Sequence, residues 1–433
     1  MSSSEKVAIV GGGIAGLALA LNLHRRGVSC EVYEAAPEVK PLGVGITLLP
    51  HAMHELGELG MASVIREAGV ELEKSAFFNR FGQLIYEEPR GRAAGYPDPE
   101  VAIHRGKLHL ALLAAARERI GPDKVHTDYR CTGVTQSEVG VSIAFQSTTT
   151  GAPRKAVQAE LAVACDGVNS AIRRQYYPDE TMAFTGINMW RGAAWRAPIL
   201  DGRTYMRIGS LRTGKIVIYP IDGSNDGSGR QLINWVVELS GPDSEINDWN
   251  KPGRLEDFLP VYEEWALGWL DVPALIRGSE RIFEYPMADK DPVDRWSFGR
   301  ITLAGDAAHP MYPRGSNGAA QALIDVRVLA NLLTASADGV AALREYEAIR
   351  RAETARVVLT NRSTPPDYIN IKVDELTGDK PFERLEDFIS QDELRKISED
   401  YKQIAGFARP IGPSLATLTP GAGTGPEEKW PTM

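Results

Sequence analysis

The segment VAIVGGGIAG, residues 7–16, decides the fold of this chain, because an apolar β-branched run passes directly into a cluster of glycines. An Ala/Leu-rich stretch follows, so the pattern predicts a strand, a tight turn and a helix. Gly11, Gly13 and Gly16 have G-x-G-x-x-G spacing. The first glycine permits the turn, the second lets a pyrophosphate approach the backbone, and the third lets the helix pack closely on the strand.

The start of the predicted helix offers binding groups for phosphate. The N–H groups of Ile14, Ala15 and Gly16 lie in its first turn, where the helix dipole also places positive potential. A second apolar run, residues 28–33, ends in Glu34, where an acid is expected to accept hydrogen bonds from a ribose. This carboxylate favours FAD or NAD over NADP at the site. The alternative is a glycine-rich turn that binds nothing.

Composition and charge restrict the class of protein. The chain has 433 residues, 43% hydrophobic and 24% charged, which is typical of a globular protein with two or three lobes. A formal net charge of −9, with no lysine/arginine block, argues against nucleic acid or an anionic membrane as partner. No apolar run is long enough to span a membrane, and the first begins too early for a signal peptide. We therefore expect a cytoplasmic protein, either a monomer or a homodimer.

Cysteine and histidine usage gives no sign of a disulfide framework or a metal site. The three cysteines, Cys30, Cys131 and Cys165, are widely spaced and form no C-x-x-C pair. Cys30 and Cys165 fall in predicted strands, which favours buried packing for both side chains. Histidines and carboxylates show no metal-ligand spacing, so no metal is expected.

The pattern of apolar, aromatic and turn-forming residues along the chain predicts an α/β architecture with several regions. The predicted boundaries are 1–181 and 286–360 for a doubly wound, Rossmann-like domain, 182–285 for a second β-sheet domain, 361–409 for a C-terminal helical segment, and 410–433 for a disordered tail. A short insertion near 75–100 is a candidate for joining the second domain. Helical periodicity predicts helices over 50–68, 105–120, 319–361 and 383–405.

Two glycine–acid pairs follow buried strands of the first domain. Asp166-Gly167 comes after the apolar run 161–165, and Gly305-Asp306 comes after 301–304. Ligands of doubly wound sheets bind at the carboxyl ends of the strands, where an Asp can accept hydrogen bonds from sugar or ribityl hydroxyls. The alternative is an Asp that stabilises a turn or caps a helix.

Taken in order, these motifs resemble a known family. The glycine motif, Arg105 at the start of a helix, Asp166-Gly167 and the stretch GDAAHP at 305–310 resemble the single-component, FAD-dependent aromatic hydroxylases. This is the para-hydroxybenzoate hydroxylase-like family of class A flavoprotein monooxygenases. PLGVGI at 41–46, MWRG at 189–192 and MYPRGSNGA at 311–319 are most similar to its phenazine-hydroxylating subgroup.

The resemblance implies a FAD-binding domain and a substrate domain, and it assigns cofactor roles. Gly11, Gly13, Gly16 and Glu34 would hold the ADP half of FAD; Arg105 would contact its pyrophosphate and ribityl chain. Asp306 would bind ribityl hydroxyls, and Asp166 with Gly167 would serve both FAD and the nicotinamide. The other implied cofactor-binding residues are Ile14, Ala15, Val44, Gly45, Gly305, Pro313, Gly315, Ser316, Asn317 and Gly318.

The loop before residue 319 also has a physical interpretation. Asn317 is a suitable N-cap, and the helix that follows would direct its positive end at the flavin. Arg314 is a candidate for binding a substrate carboxylate, but a solvated surface side chain is the favoured interpretation. Among the aromatic residues of the second domain, Tyr219 is expected to face the ligand. His309 is expected to hydrogen-bond locally rather than to act in catalysis.

The resemblance implies the reaction of a flavin monooxygenase. NADH or NADPH would reduce FAD, and O2 would form a flavin C4a-hydroperoxide that hydroxylates an aromatic or N-heteroaromatic substrate, with or without loss of a carboxylate. Two alternatives remain open at this point. One is Baeyer–Villiger oxidation or dehydrogenation in the same fold, and the other is a non-catalytic, redox-sensing FAD protein.

Overall fold

The fold is described here from a computed structural model that covers residues 5–40, 43–223, 227–241, 251–265, 267–363 and 368–404. The disordered tail predicted over 410–433 lies outside these residues, and so do Pro41 and Leu42 of the PLGVGI stretch. Within the described residues, no helix combines the length and the apolar character that crossing a membrane requires.

The described residues form nineteen strands and ten α-helices. The strands are β1 (Glu5–Val10), β2 (Cys30–Tyr33), β3 (Gly45–Leu48), β4 (Val70–Leu72), β5 (Lys74–Phe78), β6 (Leu84–Pro89), β7 (Glu100–His104), β8 (Val125–His126), β9 (Arg130–Gln136), β10 (Val141–Gln146), β11 (Val157–Ala164), β12 (Ala183–Arg196), β13 (Thr204–Ser210), β14 (Gly214–Asp222), β15 (Gln231–Ser240), β16 (Lys251–Pro252), β17 (Ile282–Asp289), β18 (Ser297–Phe298) and β19 (Ile301–Leu303). The helices are α1 (Ile14–Arg25), α2 (Pro50–Glu58), α3 (Ala62–Ala68), α4 (Arg105–Ile120), α5 (Ala171–Tyr176), α6 (Val272–Arg277), α7 (Gly318–Ala335), α8 (Gly339–Ser363), α9 (Tyr368–Thr377) and α10 (Gln391–Ile404).

The first sheet confirms the Rossmann-like fold. Its order is β18-β19-β11-β1-β2-β8, and the pairs β1–β2, β1–β11 and β11–β19 are parallel. The chain leaves β1 in one direction toward β2, while β11 lies on the other side, so the strand order reverses between β1 and β11. Ligands of doubly wound sheets bind outside the carboxyl ends of the strands at such a point. The glycine turn follows β1 there, and Asp166 follows β11 closely.

The second sheet has eight strands in the order β16-β17-β12-β15-β14-β13-β5-β6. Strands β5 and β6 come from the insertion near 75–100, and β5 pairs with β13 in parallel. One face packs around Trp235, which is fully buried. The opposite face carries Tyr219 and packs against Ala102 and Tyr312 from outside this sheet. That face therefore packs the second sheet against β7 and against the loop before α7.

A small third sheet, β3-β7-β4, leads the chain into α4. The helix starts at Arg105 and ends at Ile120, as the sequence predicted. Cys30, Cys131 and Cys165 are buried and form no disulfide bond, which confirms packing for the two predicted in strands.

Two of the predicted helical stretches are each divided in two, which corrects the single long helix expected over 319–361. The 50–68 segment breaks where Gly60 adopts φ +70°, between α2 and α3. The 319–361 segment breaks between α7 and α8, where the side chain of Asp338 accepts hydrogen bonds from the N–H groups of Val340 and Ala341 at 2.9 and 3.2 Å. In the 383–405 segment the α-helix begins only at Gln391.

Asp338→Ala should lower the free energy of unfolding by about 1 kcal/mol, because the N–H groups at the start of α8 lose their acceptor. Urea denaturation followed by far-UV circular dichroism measures the change. Asp338→Asn is the control, since Asn caps helices as well as Asp does. A capping role is contradicted if the free energy of unfolding is unchanged in Asp338→Ala, or if it falls equally in both variants.

Candidate functional site

The turn after β1 can be formed only by glycines at two positions. Gly11 has φ +106°, and a Cβ there would lie 2.3 Å from the Cys165 carbonyl oxygen. A Cβ on Gly16 would lie 1.9 Å from the Gly11 carbonyl oxygen. By contrast, the Cα of Gly13 faces open space, with no atom within 4 Å of a Cβ position. This leaves the backbone at the start of α1, including Ile14 and Ala15, accessible to a phosphate.

Glu34 is already bonded to the turn that it was predicted to complement. Its Oε2 accepts a hydrogen bond from Gly12 N at 2.6 Å, and its Oε1 accepts one from Ala36 N at 2.8 Å. Each oxygen retains a second lone pair for a ribose hydroxyl. His109 of α4 holds the same turn, with its Nε2 2.6 Å from the Gly12 carbonyl oxygen. The sequence analysis missed His109, because nothing local relates it to the glycine motif.

Asp166 presents a buried oxygen that the fold does not use. Its Oδ2 accepts a hydrogen bond from Ala171 N at 2.9 Å, whereas its Oδ1 is buried with no partner among the described residues. Burial raises the pKa of Asp166, although hydrogen bonds from Ser170 and Ala171 oppose the shift. Gly167 has φ +77° and no atom near its Cβ position. A ligand hydroxyl could donate the hydrogen bond that Oδ1 of Asp166 does not receive from the described residues.

The Gly305-Asp306 turn passes between two helices. A Cβ on Gly305 would lie 3.1 Å from the Ala15 side chain of α1 and 3.3 Å from Ala322 of α7, so the turn touches both. Asp306 is exposed, and its Oδ1 lies 4.0 Å from the Cβ position of Gly318, the first residue of α7. The structure therefore brings the Asp306 carboxylate to the start of α7, beside the α1 turn.

Buried polar contacts fix this turn from behind. His309 is 3% exposed, and its Nε2 lies 2.5 Å from Asp325 Oδ2, which confirms a local hydrogen bond. Asp325 also accepts hydrogen bonds from Gly305 N at 3.2 Å and from Arg350 Nε at 2.8 Å. Burial would raise the pKa of Asp325, but His309 and Arg350 hold it below its usual value. His309 thus links this turn to Asp325 of α7.

Arg173 ties the two glycine–acid turns together, a contact that sequence reasoning missed. The side chain is fully buried, and its Nη1 donates to the carbonyl oxygens of Ala307 and Ala308 at 3.0 and 2.6 Å. Its charge is balanced by Glu180, whose Oε2 accepts from Arg173 Nε at 2.8 Å. The helix after Asp166 is therefore held directly to the turn that carries Asp306.

The loop before α7 contains two residues with left-handed backbone, Gly315 at φ +74° and Ser316 at φ +58°. Asn317 occupies the N-cap position of α7, as predicted, but its side chain makes no capping hydrogen bond. That part of the prediction is wrong, because Asn317 is fully buried and its backbone is already helical. Pro313 is exposed at the start of the loop, whose last residue leads into Gly318.

Arg314 is not the solvated surface residue that the sequence favoured. Only 8% of the residue is exposed, and its Nε and Nη2 are buried with no hydrogen-bond partner among the described residues. Two buried guanidinium nitrogens without an acceptor are unfavourable, and an anion is the ligand that would pair with them.

The strand β3 is clamped by side chains of the second sheet. Gly45 N donates to Asn234 Oδ1 at 2.7 Å, and the Gly45 carbonyl oxygen accepts from Arg191 Nη2 at 2.7 Å. A Cβ on Gly45 would lie 2.8 Å from the Tyr219 ring. The preceding Val44 carbonyl oxygen accepts from Arg105 N at 2.9 Å. Asn234 carried no sequence signal, since its partner is distant along the chain.

Tyr219 is buried and belongs to a stack of rings. It lies parallel to Tyr205, with centroids 4.9 Å apart, and the guanidinium of Arg207 lies 4.5 Å from the Tyr205 centroid. Burial raises the pKa of Tyr219 to about 12, although Arg191 partly opposes the shift. Its phenol is therefore neutral at physiological pH. The stack runs from β3 toward the outer strands of the second sheet.

A cavity that is partly open to solvent lies where the two lobes and the C-terminal helix meet. It is lined from the α7 loop by Gly315 and from the second sheet by Phe77 and Arg207. Other lining residues are Pro50, Glu88, Pro89, Arg90, Gly91, Tyr96, Glu100, Ser398 and Lys402. The loop that begins α7 beside Asp306 therefore also borders a cavity with aromatic and charged walls.

Comparisons with known proteins agree with this architecture. A family model described as FAD binding domain matches residues 4–223 and 270–361. Phenazine 1,6-dicarboxylic acid hydroxylase of Lysobacter antibioticus is 41% identical over 366 residues, covering 83% of this chain and 90% of that protein. A 3-amino-4-hydroxybenzoate 2-monooxygenase of Streptomyces platensis is 32% identical over 416 residues, covering 94% and 97%.

A solved structure shows the same fold. Klebsiella pneumoniae HpxO, in complex with FAD and uric acid, matches with a TM-score of 0.72 at 23% identity, covering 93% of this chain and 95% of that one. Together with the curated relatives, the family match confirms the resemblance drawn from the motifs. The chain belongs to the FAD binding domain family, among the FAD-dependent aromatic hydroxylases, and its cofactor is FAD.

Proposed function

We propose that the chain is a monooxygenase that uses FAD, NADH or NADPH, and O2 to hydroxylate a small aromatic or N-heteroaromatic compound. One observation carries the proposal. The loop 313–318 meets the Asp306 turn at the start of α7, and it also contributes Gly315 to the cavity walled by the second sheet. A flavin ring bound at this loop would adjoin the cavity in which we place the aromatic substrate.

The residues of the first domain fit FAD. The open side of Gly13 leaves room for a pyrophosphate, and the unpartnered Oδ1 of Asp166 suits a ligand hydroxyl. Arg105 and Asp306 are exposed and available to the cofactor. When bound, FAD supplies hydride acceptance from the nicotinamide and activation of O2. The 18-residue helix α7 would stabilise negative charge on the bound ring through its positive end.

The second sheet forms an apolar wall of the proposed reaction site. Its inner face is apolar around Met189, Val217 and Val236, and an apolar face of this kind would exclude water from a bound ring. Tyr219, stacked on Tyr205, is proposed to contact the ligand from this wall. No protein nucleophile is required, because FAD carries the oxygen chemistry and the protein orients the ring.

Arg314 is proposed to bind an acidic group of the substrate. Its two unpartnered buried nitrogens form one edge of the guanidinium fork, which can hold a carboxylate through two hydrogen bonds. The names of both curated relatives specify aromatic acids, a dicarboxylic phenazine and an aminohydroxybenzoate, which supports this choice.

The proposed reaction is tested by giving the yellow holoenzyme NADH or NADPH, labelled O2, and aromatic acids such as phenazine-1,6-dicarboxylic acid and 3-amino-4-hydroxybenzoate. We expect faster nicotinamide oxidation and a product that carries one labelled oxygen on the ring, measured by mass spectrometry. A lactone or ester product would instead indicate Baeyer–Villiger oxidation, and an unlabelled product would indicate dehydrogenation. Nicotinamide oxidation that no aromatic compound stimulates would favour a redox sensor.

Gly13→Val should weaken FAD binding at least about tenfold, because the new side chain fills the open side of the turn where the pyrophosphate approaches. The ratio of flavin to protein absorbance after gel filtration measures the loss. Gly57→Ala is the matched control, since its Cβ would meet only Ala62 at an ordinary 3.9 Å. Full flavin content in a folded Gly13→Val variant would argue against this binding mode.

Arg314→Met should raise the KM for phenazine-1,6-dicarboxylic acid about 10- to 100-fold, because a hydrogen-bonded ion pair is worth about 1.5–3 kcal/mol. The kcat should change much less. The neutral dimethyl ester of the same compound serves as the control ligand, and its binding should not respond. Equal weakening of acid and ester would show that Arg314 only supports the fold.

A further inference from the structure

Glu100 is a buried carboxyl with one oxygen left unused. It starts β7 and is 2% exposed, and its Oε2 accepts a hydrogen bond from Arg90 Nε at 2.7 Å. Its Oε1 is also buried but has no partner among the described residues. Burial raises the pKa of Glu100, although the adjacent Arg90 opposes the shift. A buried oxygen of this kind lowers the stability of the fold unless a donor forms a hydrogen bond to it.

The unused oxygen belongs to a residue that lines the cavity at the end of the α7 loop. Phe77 and Tyr96 contribute aromatic surface to the same cavity, and Gly315 contributes backbone from the flavin-side loop. At its other end, β7 leads directly into Arg105, a proposed cofactor ligand. A ligand in this cavity would therefore lie between the loop at the cofactor and the Glu100 carboxyl.

The far wall of the cavity is formed by this chain's C-terminal region. Ser398 and Lys402 of α10 bind Glu88 Oε2 at 2.7 and 2.8 Å, which fixes the helix against β6. Helix α10 lies after residue 361, where the family match ends. Glu88 is satisfied by these contacts, so Glu100 is the lining carboxyl with a buried, unpartnered oxygen among the described residues.

We propose that Glu100 is a specificity-determining residue whose Oε1 accepts a hydrogen bond from an O–H or N–H group of the aromatic ligand. The inference rests on the proposed function for the identity of the site. It adds that ligands with a ring donor are preferred over ligands of the same shape without one. The discrimination is expected to be about tenfold or more, since a site built to pair a donor penalises its absence.

The substitution Glu100→Gln tests the acceptor directly. Arg90 can only donate, so the carboxamide oxygen must turn toward Arg90 and its NH2 group must take the place of Oε1. The shape of the side chain and the Arg90 contact are kept, while the acceptor in the cavity becomes a donor. Glu88→Gln is the matched control, because it removes one negative charge from the same cavity and leaves Glu100 intact.

The measurement is the dissociation constant of matched ligand pairs, read from the change in flavin absorbance of the holoenzyme without NADH or NADPH. The pairs are 3-hydroxybenzoate with 3-methoxybenzoate, and 1-hydroxyphenazine with 1-methoxyphenazine. In the wild type, we expect the hydroxyl member of at least one pair to bind about tenfold more tightly. In Glu100→Gln this preference should vanish or reverse. In Glu88→Gln the dissociation constants of both members of a pair should change by the same factor.

Three results would overturn the proposal. The first is that the wild type shows no preference for the hydroxyl ligand in either pair. The second is that the preference persists in Glu100→Gln. The third is that Glu88→Gln loses the preference as fully as Glu100→Gln does. Glu100→Asp, which keeps a carboxylate, should retain the sign of the preference and covers the case in which Glu100→Gln does not fold. Because binding is read without turnover, the preference can stand even if no hydroxylated product forms. A hydroxylated product with no effect of Glu100→Gln would refute only the role of Glu100.

Discussion

The close approach of backbone to backbone at the carboxyl ends of β1 and β11 is the constraint on which the site depends. Gly11 lies against the Cys165 carbonyl, and Gly16 lies against the Gly11 carbonyl, at distances that leave no room for a Cβ. This contact brings the start of α1 to the point where the strand order reverses. The Asp166 and Gly305 turns reach the same point, so phosphate, sugar and ring binding can all be arranged around one turn.

Buried polar contacts then hold these turns in place. Arg173 donates to the Ala307 and Ala308 carbonyl oxygens, and Asp325 accepts from Gly305 N, so both flanking segments are fixed by side chains that solvent does not reach. Hydrogen bonds of this kind are strong in a low-dielectric interior and costly to leave half made. The Asp306 carboxylate, by contrast, remains exposed at the start of α7. The fold thus satisfies its structural charges internally and leaves the ligand-facing groups available.

The two lobes are coupled through main chain as well as apolar packing. Both backbone groups of Gly45 are bonded to side chains of the second sheet, its N–H to Asn234 and its carbonyl to Arg191. Strand β3 therefore cannot move relative to that sheet without breaking buried hydrogen bonds. These bonds fix β3 beside the Tyr219–Tyr205 stack, and the proposed reaction, in which the protein orients the ring, would require such rigidity.

The sequence by itself determined the strand–turn–helix start, the fold class, the family and the cofactor, because these depend on short-range spacing of glycines, acids and apolar runs. It could not foresee that Arg314 is buried, that Glu100 keeps a free oxygen, or that Asn234 clamps Gly45 across 189 residues. Burial and partnership at these positions arise from contacts between segments that are far apart in the chain. Only the tertiary structure brings those segments together, and so it alone decides which polar groups are left for a ligand.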